Sequence, residues 1–393
     1  MGKNKKILVV FGTRPEAIKM APLIRELARY PEEINCLVAV TAQHREMLDQ
    51  VLELFDIRPD FDLNIMKSGQ SLFEITCRAL SGLQGILKEE HPDLTLVHGD
   101  TTTTFVSALA AYYLQIPVGH VEAGLRTGDK YAPFPEEINR RLTAGIADLH
   151  FAPTSLARDN LLKEGVSREK IFVTGNTVID ALFLALKDNY SFNNRILNGI
   201  DYKNRRIILV TTHRRENFGG PMKSVYRALN TIVDSYPDVE VIFPVHRNPV
   251  VRNAVDELLS GLDRVHLVDP LEYEPFINLM SRSYLVLTDS GGLQEEAPAL
   301  GKPVLVLRDA TERPEAVWAG TVRVIGTQYE KVVSEVRQLL DDQQHYKRMS
   351  EAVNPYGDGK ASERIRQAIL YYYGYNKKPF SEYCAGKILR QKI

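Results

Sequence analysis

Residues 288–303, Thr-Asp-Ser-Gly-Gly-Leu-Gln-Glu-Glu-Ala-Pro-Ala-Leu-Gly-Lys-Pro, hold the densest chemistry in the sequence. The apolar run Tyr284–Leu287 reads as a buried strand that ends at Asp289. Ser290-Gly291-Gly292 then turns into a helical pattern. Backbone N–H groups at such a helix start can hold a phosphate. Glycines without side chains let an anion come close. Glu295 and Glu296 fall in the first turn, within reach of a sugar hydroxyl on the same ligand. Alone, the same residues also fit a tight strand–helix corner with acidic first-turn residues.

Further polar motifs follow other apolar runs. Gly12-Thr13-Arg14-Pro15-Glu16 follows the first; Pro15 suits the first helical turn, and Lys19 lies one turn on. His98-Gly99-Asp100 and Thr101–Thr104 follow Leu94–Val97. Asp100 either caps that helix or faces a ligand. Glu122 stands just past Ile116–Gly119, where a carboxylate is harder to explain structurally. Glu136 and Glu137 open the next helix, a place that favours acids anyway. In the second half, His213-Arg214-Arg215-Glu216-Asn217 follows an apolar run. A histidine flanked by cations tends to stay neutral, fit to act as a base or a hydrogen-bond donor. Arg313 stands in the motif after Val304–Leu307. One half thus supplies carboxylates and the other phosphate-binding groups.

The elements that must position these groups alternate. Strands are expected near 6–11, 35–41, 93–98, 116–121, 148–152 and 170–174, then near 206–212, 239–244, 264–268, 284–288, 303–307 and 322–325. Apolar residues at helical spacing lie between them, as in 15–30, 71–89, 102–114 and 222–235. This predicts α/β architecture, with parallel sheets and helices on both faces. Two sets of about six units in 393 residues predict two doubly wound domains. Ligands of such sheets bind beyond the carboxyl ends of the strands. The expected boundaries are 1–180 and 181–361, a helix about 362–374 and a tail 375–393. The polar stretch 187–205 reads as a linker, and the tail from Lys377 as poorly packed.

Bulk properties narrow the classes. Net charge is −1, with the cations dispersed, which argues against a nucleic-acid surface. Cys36, Cys77 and Cys384 are far apart and odd in number, which suits a reducing cytoplasm. No apolar run reaches membrane length. The histidines lack metal-ligand spacing, so no metal is expected. No Gly-x-Gly-x-x-Gly follows the first strand and no ATP-type phosphate loop is present, so no cofactor is expected.

Taken in order, Gly12–Leu23, His98–Thr104, His120–Asp129, Phe134–Arg140, Gly175–Asp180, Thr211–Asn217, Asp289–Pro303, Arg313–Glu315 and Asn354–Gly359 resemble the bacterial non-hydrolysing UDP-N-acetylglucosamine 2-epimerases over roughly 5–375. The resemblance implies a glycosyltransferase-B-like fold, two Rossmann-like domains facing across a cleft, with the C-terminal helix packed on the first. It implies interconversion of UDP-N-acetylglucosamine and UDP-N-acetylmannosamine by elimination and re-addition of UDP, through 2-acetamidoglucal. Ser290, Gly291 and Gly292 would take the diphosphate and Glu296 the ribose. Arg14, Lys19, His213 and Arg313 would contact the nucleotide, and Phe276 would lie near the uracil. Asp100, Glu122 and Glu136 would be the catalytic carboxylates, with His213 beside the leaving diphosphate. The family also implies a homodimer, a role in cell-surface polysaccharide synthesis and activation by a second substrate molecule. Gln43, Gln70 and Arg214 are the candidates for that second site. A retaining glycosyltransferase, a nucleotide-sugar sensor and a hydrolysing epimerase are the rival readings.

Overall fold

The computed structural model describes residues 4–42, 45–65, 67, 69–378 and 380–385. They form two compact units. The first runs to Leu184 and takes back Tyr356–Cys384; the second spans Ala185–Pro355.

The first unit holds seven parallel strands: β1 (Lys5–Phe11), β2 (Ile34–Val40), β3 (Phe61–Asp62), β4 (Leu94–His98), β5 (Val118–Val121), β6 (Leu149–Ala152) and β7 (Ile171–Val173). Their order is β3-β2-β1-β4-β5-β6-β7. The second holds β8 (Arg206–Thr211), β9 (Val239–Pro244), β10 (Val265–Val268), β11 (Leu285–Thr288), β12 (Val304–Val306) and β13 (Val322–Val324), ordered β10-β9-β8-β11-β12-β13. In each sheet the strand order reverses beside the first strand, at β1/β4 and at β8/β11. At such a reversal the connections leave toward opposite faces and open a crevice. The motifs after β1, β4, β8 and β11 stand at these two points.

Helices cover both faces, so central strands are apolar throughout. Ile7–Phe11 and Ile207–Val210 are almost wholly buried. Every expected strand is present. β3 was missed because two residues carry no periodicity.

Two expectations are corrected. The polar stretch 187–205 is not a free linker but part of the second unit. Phe192 and Leu197 are buried in it, and the Lys187 amide donates to Asn278 Oδ1 at 2.9 Å. The start of the tail is not loosely packed. Tyr383 is buried and its amide donates to the Val173 carbonyl at 2.9 Å. Phe380 lies 6.0 Å from the Phe172 ring. These aromatic residues cover β7, which would otherwise be an open sheet edge. The helix Ala361–Tyr372 packs on the helix Arg14–Ala28, where Arg366 Nε donates to Glu26 Oε1 at 3.0 Å. Among the described residues, no helix is long and apolar enough to cross a membrane.

Candidate active site

In the first unit, the turn after β1 is fixed by Glu16. Its buried carboxylate accepts from the amides of Gly12 and Thr13 at 3.0 and 2.8 Å. It also accepts from the Thr101 and Thr104 hydroxyls at 2.6 and 3.0 Å, clamping the β1 turn to the β4 turn. Burial pushes the Glu16 carboxyl up, against these donors. Gly12 has no space for a side chain: a Cβ would stand 2.0 Å from Thr41 Oγ1. Arg14 is half-buried at the start of the helix, and Lys19 follows one turn later.

Lys19 reaches Glu122, the residue after β5, and forms an ion pair with Oε2. Asn176, after β7, donates Nδ2 to the same oxygen at 2.7 Å. His98 Nε2 stands 3.8 Å from it. Glu122 itself has φ +61°, a left-handed backbone rare for a side-chain-bearing residue. That conformation costs on the order of 1 kcal/mol or more and persists only where surroundings impose it. Neighbouring Gly99 has φ +69°, and a Cβ there would lie 3.7 Å from Glu122 Oε1. Asp100 pairs with Arg140, and its carbonyl accepts from Asn139 Nδ2 at 3.0 Å.

The two glutamates opening the helix Glu136–Ile146 separate cleanly. Glu137 is wholly buried and accepts from the Thr127 and Gly128 amides, Arg140 and Arg141. It is the structural member. Glu136 keeps a buried Oε2 with no hydrogen-bond partner, one helical turn before the Asn139–Arg140 pair that holds Asp100. Lys19, Glu122, Asn176 and His98 thus form one cluster, and Asp100 with Arg140 another just across Gly99.

Three histidines, His98 of this cluster and His120 and His150, lie buried on neighbouring strands. Burial holds His98 at about 4, His120 at about 3 and His150 at about 4, well below the ordinary imidazole range. Neutral His120 uses Nε2 on the Gly99 carbonyl at 2.7 Å. An unfolded chain takes up these protons near pH ~6.5 and the native state does not. Their stabilisation is present above pH ~6.5 and is lost as pH falls toward the native values. Asp180, raised to about 6 by burial, gains its proton in the native state first and offsets one of them. Glu16, also raised by burial, offsets at most one more. A net loss of at least about 1.4 kcal/mol per pH unit is expected between pH ~6 and ~4.5. Denaturant midpoints at these pH values check this, with a flatter slope in His120→Gln. A midpoint that holds or rises on acidification contradicts it.

In the second unit, Asp289 at the end of β11 is fully buried. It accepts from the His213 and Arg214 amides at 3.0 and 2.9 Å and from Asn217 Nδ2 at 3.2 Å. His213 Nδ1 lies 3.0 Å from Asp289 Oδ1. Burial works to raise this carboxyl, but the His213 and Arg214 donors outweigh it and hold it below the usual range. The pairing fixes the histidine ring and directs its other nitrogen away from the carboxylate. A carboxylate, and not only the flanking arginines, therefore sets the surroundings of His213.

The Ser290 amide is used by Thr288 Oγ1 at 2.9 Å. No protein acceptor among the described residues takes the Gly291 or Gly292 amide. Neither glycine has a positive φ, and the nearest protein atoms to an added Cβ are Arg214 Nη2 at 3.9 Å and Glu296 Oε2 at 3.8 Å. Backbone strain and packing thus do not require glycine here. The following helix has only seven residues, so open amides and nearby guanidinium groups, more than helix length, supply attraction for an anion.

Arg214 lies over this turn with a buried, unpartnered Nε. The structure thus groups it with Ser290–Gly292. Arg313 is fixed by Glu295 through an ion pair. Its loop is anchored where Thr311 Oγ1 donates to Gln294 Oε1 at 2.5 Å. Glu295 is therefore an orienting group for Arg313. Glu296 accepts from Tyr273 Oη at 3.0 Å. Phe276 sits one turn from Tyr273 on the helix Tyr273–Ser281, half-buried. Gln70 uses its amide within its own loop, donating to the Ile65 carbonyl at 2.7 Å. Gln43 lies outside the described residues.

Sequence reasoning passed over Asn176, Asp289, Glu16 and Tyr273 as individual residues. Asp289 had a readable signal, an acid at a strand end directly before the Ser-Gly-Gly turn.

The chain matches known proteins along most of its length. The sequence profile of the UDP-N-acetylglucosamine 2-epimerase family covers residues 25–370. The UDP-N-acetylglucosamine 2-epimerase of Bacillus subtilis is 58% identical over 376 residues, 96% of this chain and 98% of the relative. That of Escherichia coli K12 is 56% identical over 370 residues, 93% and 98% of the two chains. The structure of UDP-GlcNAc 2-epimerase from Neisseria meningitidis bound to UDP-GlcNAc superposes with a TM-score of 0.83 at 51% identity, covering 93% of this chain and all of that one. Identity of this level over nearly whole chains goes beyond a shared fold, and the chain belongs to the UDP-N-acetylglucosamine 2-epimerase family.

Proposed function

We propose that this protein is a non-hydrolysing isomerase that interconverts UDP-N-acetylglucosamine and UDP-N-acetylmannosamine. The observation that carries the reading is Glu122, whose backbone is left-handed and whose carboxylate is paired with Lys19 and Asn176. A phosphate-binding sensor has no use for such an arrangement. The carbon-2 proton of the sugar has little acidity, so its removal must be coupled to departure of UDP. A carboxylate takes the proton, the C–H pair becomes the C1–C2 double bond, and the C1–O pair leaves with the diphosphate. UDP then adds back to 2-acetamidoglucal as a proton reaches carbon 2 from the other face.

In this reading Asp100, Glu122 and Glu136 serve proton transfer. The open Gly291 and Gly292 amides, Arg14, Lys19, Arg313 and His213 stabilise charge on the departing diphosphate. Glu296 takes the ribose, and Phe276 lies near the uracil. Positional isotope exchange tests the bond cleavage. Oxygen-18 placed between carbon 1 and the β-phosphorus should scramble into the non-bridging β positions. Label that stays in the bridge sinks the elimination route. Release of free UDP as a major product would favour the hydrolysing reading.

We further propose that the protein works as a homodimer through the helices Leu72–Glu90, Thr102–Tyr113 and Glu136–Ile146. These helices pack side by side and expose Phe73 (85%), Tyr112 (60%), Tyr113 (64%) and Leu142 (46%), apolar side chains for a partner to cover. Tyr112→Glu with Tyr113→Glu should give monomers by light scattering. A wild-type monomer at micromolar concentration, or a dimer that ignores these changes, contradicts this interface.

A further inference from the structure

Asn176 joins two parts of the first unit that the sequence keeps far apart. Its side chain donates to Glu122 Oε2 at 2.7 Å, and its backbone amide donates to the Tyr356 carbonyl at 2.6 Å. Tyr356 is the first residue of the chain's return into this unit, and it is buried. Two glycines pack face to face at the same spot. A Cβ on Gly175 would meet Gly357 Cα at 3.3 Å. A Cβ on Gly357, at φ +153°, would meet Ile179 Cγ1 at 3.3 Å and the Asn176 backbone at 3.5 Å. Asn176 Oδ1 also accepts from the Val178 amide at 3.1 Å, which ties the residue to the next helix. The side chain therefore has no slack. A shift of the Tyr356–Gly357 backbone displaces Asn176, and with it a donor to Glu122.

We propose that Asn176 is a positioning residue through which the returning segment Tyr356–Gly357 sets the orientation of the Glu122 carboxylate. The inference rests on the epimerase reading above. It assigns Asn176 no contact with substrate. Its consequence is that Glu122 responds to the chain crossing at Pro355–Tyr356, so any ligand that moves this crossing also tunes the carboxylate.

Asn176→Asp is the sharpest test. The shape and the helix-capping acceptor are kept, but the donor to Glu122 becomes a like charge. Turnover should fall roughly 100-fold while UDP affinity stays within about threefold, because the groups proposed to hold UDP, all but Arg14 and Lys19, belong to the other unit. The acid limb of the kcat profile should move up by about one pH unit, since a neighbouring carboxylate disfavours ionised Glu122. Gly357→Ala lies outside the catalytic groups and should move the limb the same way by a smaller amount. If Gly357→Ala fails to bind UDP, Gly175→Ala replaces it. An unmoved kcat and acid limb in Asn176→Asp overturn the proposal. An unmoved limb in the glycine variant overturns the link to the crossing. Wild-type protein that makes no mannosamine sugar would end the epimerase reading instead. The contact would then be read from the Glu122 titration by carbon-13 NMR, with Glu122→Gln as the assignment control; a titration unchanged in Asn176→Asp overturns it.

Discussion

Glu122→Gln is expected to lose turnover by roughly 10² to 10⁴-fold while UDP binds within about threefold of wild type. A carboxamide keeps the shape and can still accept from Asn176, but it cannot take a proton at these pH values. Lys19 loses its charged partner, so a modest fall in stability accompanies the change. UDP affinity is spared because the groups proposed to hold it, all but Arg14 and Lys19, belong to the other unit, and Lys19 keeps its charge in this variant. Calorimetric titration with UDP and a turnover assay on the same preparation separate the two effects. If turnover survives, Glu122 is not a proton-transfer group. If UDP binding disappears with it, the division of labour between the units is wrong.

Gly291→Ala makes the opposite separation. The position has an ordinary backbone and, among the described residues beyond its chain neighbours, no heavy atom closer than 3.9 Å to the new methyl group, so the fold should lose less than about 1 kcal/mol. The methyl group would occupy the space through which a phosphate approaches the open amides. Losing one charge-assisted bond of about 1.5–3 kcal/mol predicts a UDP Kd raised roughly 10- to 100-fold. Thermal unfolding without ligand checks the first statement, and titration with UDP the second. Wild-type UDP affinity in Gly291→Ala would move the diphosphate away from this turn.

Some of this molecule is written locally. Runs such as Ile7–Phe11 and Leu285–Leu287 announce buried parallel strands because both faces are covered. The Ser290-Gly291-Gly292 turn is legible because strand end, glycines and helix start are contiguous. The pairings that tune the site are not local. Lys19 and Glu122 are 103 residues apart, and His213 and Asp289 are 76 apart. No spacing rule joins them; the parallel sheet does, by bringing successive strand ends side by side. Local pattern does not separate Glu136 from Glu137 either, since both favour a helix start; only the family resemblance picks Glu136. Burial against the 127–128 turn makes Glu137 structural. The linker expectation for 187–205 failed because composition outweighed the two apolar anchors, Phe192 and Leu197. Near the C-terminus, the basic residues masked the aromatic side chains that cover β7.

The most direct measurement is proton NMR of UDP-N-acetylglucosamine incubated with the protein alone in deuterated water. The account predicts UDP-N-acetylmannosamine carrying deuterium at carbon 2, exchange into the remaining substrate, and free UDP only as a minor species. Product that keeps its original carbon-2 hydrogen, or no mannosamine sugar at all, would contradict it.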